Sequence, residues 1–213
     1  MNISKTGQWE QERNLKKFYR NQARIYDATR WLSLFGRKRA MQAIDLPGEA
    51  PLQILEVGPG TGYNSNWLLK HFPKASLTAF ELSLDMILQV KRKTRWAADR
   101  VSLFNQAYGK RKGFTGKFDL VLFSYCLSMV NPQWIDLLKQ AENDLKPGGN
   151  ILVVDFHNSE KTWFRKYMAR HHTRVEGQLL PALQSQFTER EQHIGKCYGS
   201  TWEYFYFWGE KVD

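Results

Sequence analysis

Leu55-Glu56-Val57-Gly58-Pro59-Gly60-Thr61-Gly62 decides the fold of this chain. Leu52, Ile54, Leu55 and Val57 form a short apolar run, long enough for a parallel strand buried on both faces. The run stops at glycines 58, 60 and 62, after which Trp67, Leu68, Leu69 and Phe72 recur at helical spacing. Strand, glycine turn and helix make a nucleotide pocket in an α/β sheet, because a turn without Cβ atoms lets the backbone approach a ligand closely. The spacing is Gly-x-Gly-x-Gly, and Tyr63 stands where a dinucleotide fingerprint would continue toward its last glycine. Glu56 lies two residues before the first glycine. A carboxylate there suits a ligand with a cationic amino group and repels a pyrophosphate.

Outward from this turn, 213 residues allow one domain with a sizeable core. We expect residues 1–46 to form a helical N-terminal lid that also faces a membrane, and 47–213 to form the ligand-binding core. Hydrophobic residues make up 42% and charged residues 24%, as in soluble globular proteins. Cys126 and Cys197 form neither a disulfide framework nor a metal-binding spacing, and the five histidines are scattered, so no metal is expected. No apolar signal segment is seen in Met1 to Glu12, and Leu120 to Val130 is too short to span a bilayer. From these features a cytoplasmic location is expected. A net charge of +10 is unevenly spread: Arg13 to Arg39 holds nine basic residues and one acid, and Lys161 to Arg174 holds five and none. Such segments suit an anionic partner, a membrane face or a nucleic acid.

Before the glycine turn, Trp9 to Ala43 reads as helical, with Trp9, Phe18, Ile25, Tyr26, Leu32 and Phe35 among basic residues. That is the pattern of an amphipathic surface helix or of a lid over the chain's own pocket. After the turn, a second strand from Ala75 to Phe80 ends in Glu81, 19 residues past Gly62. A carboxylate at this strand end can accept both hydroxyls of a ribose. Ser83 is a suitable N-cap for a helix carrying Met86, Ile87 and Val90. Val101 to Phe104 forms a third strand, followed by Asn105, Gln106 and Ala107. Lys117 to Phe123 forms a fourth, followed by Ser124 and Tyr125 on the edge where open α/β sheets bind ligands. Asn131 and Pro132 are expected to start the next helix. Leu145-Lys146-Pro147-Gly148-Gly149 leads into a fifth strand, Ile151 to Val154, with Asp155 at its end. Trp163, Phe164, Tyr167 and Met168 read as a core-facing stripe on one helix. Thr188 to Phe207 reads as an antiparallel pair closing the sheet, with aromatic Thr201 to Trp208 as its last strand.

The glycine turn with Glu56 resembles motif I of the Rossmann-like S-adenosylmethionine-dependent methyltransferases. Phe118-Asp119-Leu120-Val121 and the Leu-Lys-Pro-Gly-Gly turn resemble later motifs of the same class. The resemblance implies a seven-stranded α/β sheet with helices on both faces. It also implies S-adenosyl-L-methionine as cofactor, held by Tyr26, Glu56, Gly58, Gly60, Gly62, Glu81, Met86, Gln106, Ala107 and Ser124. Gln106 stands where the family often has an acid for the adenine amine, and an amide can still accept that hydrogen bond. The blocks Phe18-Tyr19-Arg20, Ala23 to Trp31 and Phe35-Gly36-Arg37 resemble the N-terminus of BtaB-type betaine-lipid N-methyltransferases, as do Phe123 to Met129 and Val153 to Phe156. That family methylates diacylglyceryl-homoserine and is similar to phosphatidylethanolamine N-methyltransferases. It implies a lipid amine as acceptor, an anionic membrane as partner and a peripheral location at the inner membrane face. Tyr19, Tyr26, Tyr125 and Asp155 are then candidate bases, and tyrosine faces can hold a methylated ammonium. Small-molecule and nucleic-acid methyltransferases and a non-catalytic membrane-binding module remain as alternatives. Ser124-Tyr125-Cys126-Leu127 is not an Asn/Asp-Pro-Pro-Tyr base-site motif, so no nucleic acid is expected.

Overall fold

A computed structural model describes residues 34–109, 113–171 and 173–212. Seven strands form one sheet: β1 (Gln53–Val57), β2 (Ser76–Phe80), β3 (Val101–Phe104), β4 (Phe118–Ser124), β5 (Leu145–Phe156), β6 (Phe187–Cys197) and β7 (Trp202–Lys211). Their spatial order is β3-β2-β1-β4-β5-β7-β6. The pairs among β1 to β5 are parallel, while β7 is antiparallel to both β5 and β6. The expected closing pair is therefore present, with β7 inserted between β5 and β6.

The parallel strands are apolar on both sides because both sides are covered. Ile54, Leu77, Leu120, Leu122, Leu152 and Val154 share one core with α1 (Arg37–Gln42) and α2 (Tyr63–His71). Leu55, Val121, Phe123, Ile151 and Val153 share the other with α4 (Trp134–Asp144) and α6 (Leu179–Gln186). Two further helices, α3 (Leu84–Lys93) and α5 (Thr162–Arg170), follow β2 and β5. Ser83 caps α3 as expected, its side chain accepting from Met86 N.

Register aligns the strand ends. Val57 is level with Phe80 and Phe123, Phe80 with Phe104, and Ser124 with Val154. Gly58, Glu81, Asn105, Tyr125 and Asp155 therefore leave the sheet along one edge, the site expected for a ligand.

Three expectations are corrected. The helix expected from Trp9 to Ala43 is not continuous: Gly36 has left-handed φ 76° and caps a short α1. The ring of Tyr204 lies over Gly36, so a Cβ there would come within 2.1 Å of it. The earlier part of that segment lies outside the described residues. The helix after β4 begins at Trp134 behind Gln133, not at Asn131; the Asn131–Pro132 peptide is cis, and Asn131 instead donates its side-chain amide to Ser128 O. The stripe on α5 is only half core-facing. Met168 is buried, but Trp163 is 63% and Tyr167 54% exposed. Spacing alone does not reveal which face of a helix carrying aromatics on two sides will meet the sheet.

Candidate active site

The site begins at the turn after β1. Gly58, Gly60 and Gly62 all have left-handed φ, of 70°, 55° and 79°, a region costly for residues with a Cβ. The three glycines serve different ends. A Cβ on Gly62 would lie 2.9 Å from Val90 Cα, so this glycine lets the start of α2 meet α3. A Cβ on Gly60 would meet nothing within 4 Å among the described residues. Gly58 faces the Cys126 sulfur, on the loop after β4.

Glu56 is fully buried under this turn. Ser65 of α2 donates to its Oε2 at 2.5 Å. Its Oε1 and the Oδ1 of nearby Asn64 are buried acceptors that meet no hydrogen-bond donor among the described residues. Burial raises the Glu56 carboxyl from its usual 4.5 to about 7; hydrogen bonding by Ser65 and Asn64 opposes the rise, neighbouring Glu81 adds to it and Arg37 opposes it. Two orphan acceptors and a carboxylate poised to ionise fit a buried ammonium group, which would supply the missing donors.

Glu81 sits across the turn, at the end of β2. Its Oε2 accepts from Gly60 N at 3.2 Å and its Oε1 from Ser83 N at 2.9 Å. The acid thus ties the glycine turn to the cap of α3. Asn105 donates to the carbonyls of Glu81 and Leu82, both at 3.0 Å. This fixes the loop carrying Gln106 and Ala107, both half-buried. Met86 is buried on α3.

The other half of the edge is aromatic. Ser124 is half-buried at the end of β4, and Tyr125 follows with φ 52°, a strained value for a bulky residue. The strain is held by Tyr125 N donating to Val154 O at 2.7 Å and Tyr125 Oη donating to Phe35 O at 2.7 Å. Its ring meets Phe156 edge-on at 4.9 Å, Phe156 meets Trp202 at 5.0 Å, and Trp202 meets Phe35 at 5.8 Å. Burial, with Asp155 nearby, holds the Tyr125 hydroxyl well above its usual range, so it stays protonated at neutral pH. Asp155 is fully buried, which raises its pKa; its oxygens accept from Ser128 N at 3.1 Å and Phe156 N at 2.8 Å. Tyr19 and Tyr26 lie outside the described residues.

Reading the sequence for a site did not single out Arg37. Its guanidinium lies 4.6 Å over the Tyr63 ring, and its charge reaches both Glu56 and Tyr125. Gly36, pressed under Tyr204, places it there. The available signal was the Phe35-Gly36-Arg37 triplet itself: a left-handed glycine just before a cation.

The methyltransferase domain family matches residues 20–194. This chain belongs to that family. It carries a methyltransferase domain, and the family, the fold and the chemistry of the glycine turn agree on S-adenosyl-L-methionine as methyl donor. Among curated proteins, a malonyl-[acyl-carrier protein] O-methyltransferase from Priestia megaterium is 34% identical over 152 residues, covering 68% of this chain and 52% of its own length. The chain thus spans about half the length of that relative. A phosphoethanolamine N-methyltransferase from Haemonchus contortus, solved with phosphomonomethylethanolamine and S-adenosylhomocysteine, superposes with a TM-score of 0.76 at 14% identity. It covers 93% of this methyltransferase and 60% of that chain. A Burkholderia thailandensis 1,6-didemethyltoxoflavin-N1-methyltransferase gives 0.72 at 16% identity, covering 100% and 93%. At such identities the solved structures share the fold and nothing finer.

Among the described residues no cluster of His, Cys, Asp or Glu could hold a metal, and no helix is long and apolar enough to cross a membrane.

Proposed function

We propose that this methyltransferase transfers methyl groups from S-adenosyl-L-methionine to the amino head group of a membrane lipid. Diacylglyceryl-homoserine is the first candidate and phosphatidylethanolamine the second. The observation that carries the reading is the cluster of rings beside the strand-end edge, where Tyr125, Phe156 and Trp202 are buried against one another and Phe35, packed on Trp202, is exposed. Ring faces attract ammonium groups through their quadrupole and offer a carboxylate nothing. Such a cluster suits an acceptor that becomes more cationic with each methyl added.

Glu56 would hold the donor's amino group, with Asn64 Oδ1 as a second acceptor, and Glu81 would hold the ribose. Arg37 is the cation on hand for the donor's carboxylate. When bound, the donor supplies a methyl group already activated on a sulfonium. The protein's part is then to hold the acceptor in line and exclude water, which can supply much of the acceleration. Tyr125 keeps its proton and Asp155 is occupied with backbone amides, so in this reading both position the edge. Tyr125 fixes the Phe35 segment, and Asp155 ties the loop after β4 to β5.

A second reading is O-methylation of a malonyl thioester on a carrier protein. It is favoured by the 34% identity to the Priestia megaterium relative. One assay separates the two. Labelled S-adenosyl-L-methionine is offered with diacylglyceryl-homoserine, phosphatidylethanolamine and malonyl-loaded carrier protein, and products are read by mass. Methylated amino lipid is expected. A methyl ester on the carrier protein, with no amino-lipid product, would replace our reading by the second.

A further inference from the structure

We propose that the outward face of α5 is the surface by which this methyltransferase docks on an anionic lipid bilayer; this rests on the lipid-amine reading of the site.

Trp163, Lys166, Tyr167 and Arg170 are spaced i, i+3, i+4 and i+7, so they share one helical face, and all four are exposed. Phe164 and Met168 pack the opposite face against the core. An exposed Trp and Tyr beside two cations is the composition of a helix lying in a headgroup layer, rings shallowly inserted and charges toward lipid phosphates. The stretch from Lys161 to Arg174 has five basic residues and no acid. An anionic bilayer complements that charge and offers apolar depth for the rings.

The face is physically joined to the acceptor end. Trp163 meets Phe164 edge-on at 5.7 Å, and Phe164 lies parallel to Trp202 at 6.2 Å. Trp202 touches Phe156 and Phe35, and Phe35 touches Tyr198 at 5.5 Å. This ribbon of rings is exposed at both ends, with Tyr198 57% accessible, and passes the cluster beside which the amine would sit.

The test uses the full chain and co-sedimentation with phosphatidylcholine vesicles, with and without phosphatidylglycerol, at low and physiological salt. One variant carries Lys166→Gln and Arg170→Gln, the other Trp163→Ser and Tyr167→Ser. At about fivefold per charge near an anionic surface, the first should bind anionic vesicles roughly 25-fold more weakly at low salt. The second should lose roughly tenfold and leave the remaining binding more salt-sensitive. Both should methylate a short-chain amino lipid dispersed in detergent as the parent does. Unchanged vesicle binding in both variants overturns the docking surface. So does a parent that binds no vesicle yet methylates dispersed amino lipid, or variants that lose only affinity for an acidic carrier protein. Failure to methylate any amino lipid overturns the reading of the site, and the sedimentation arm still judges the surface by itself.

Discussion

Replacing Glu56 with Gln should make the unliganded protein more stable at alkaline pH while weakening its affinity for the donor. The carboxyl is fully buried, accepts from Ser65, and titrates at about 7 against a usual 4.5. The fold therefore favours its neutral form. Its contribution to stability is complete below pH 4.5 and is lost as pH rises through about 7. At about 1.4 kcal/mol per unit, the parent loses roughly 3 kcal/mol across that window. Gln keeps the shape and can still accept from Ser65 but carries no charge. Urea unfolding of Glu56→Gln should lack this slope and, at pH 8, exceed the parent by up to roughly 3 kcal/mol. Binding should move the other way. An ammonium ligand needs the ionised carboxylate, so the parent's affinity for S-adenosylhomocysteine should fall about tenfold per pH unit below 7. The variant should lose the charge-assisted bond, roughly 1.5–3 kcal/mol, and show no acidic limb. Calorimetry from pH 5 to pH 8 reads both effects. A parent whose affinity does not change with pH, or a variant that keeps the acidic limb, would refute the assignment of Glu56 to the amino group.

Other consequences follow from the same edge. Glu81→Ala should weaken S-adenosylhomocysteine binding by roughly 1.5–3 kcal/mol, read by calorimetry, since a charge-assisted ribose contact is lost and the turn is freed from the cap of α3; unchanged affinity would remove Glu81 from the site. Gly62→Ala should lower the melting temperature far more than Gly60→Ala, because only the first drives a Cβ into the Val90 backbone; Gly60→Ala should act mainly on donor affinity, and equal melting shifts would contradict this. Tyr125→Phe removes the bond to Phe35 O, at a cost of about 1 kcal/mol by urea unfolding. If Tyr125 only positions the edge, its pH-rate profile should keep the parent's shape, whereas a missing limb would make it a base.

The sequence by itself determined the strand, glycine turn and helix at which the donor site is proposed. Apolar β1, the three glycines, Glu56 and Glu81 are close in the chain, and their chemistry is imposed locally: left-handed turns require glycine, and a carboxylate at a strand end meets whatever binds there. The aromatic run from Thr201 to Trp208 likewise marked a strand before any partner was known. Tertiary structure decided the rest, because it depends on which distant surfaces meet. Arg37 reaches the site only because Tyr204, 168 positions later, presses on Gly36. Asp155 looks like a base in sequence and becomes a brace once Ser128 and Phe156 amides occupy it. Trp163 and Tyr167 look like core residues until Phe164 and Met168 are seen to supply the face that packs. Local rules fix backbone shape and residue chemistry; burial is a property of the assembled sheet, and it is the largest cause of the raised Glu56 pKa and decides the exposed face of α5.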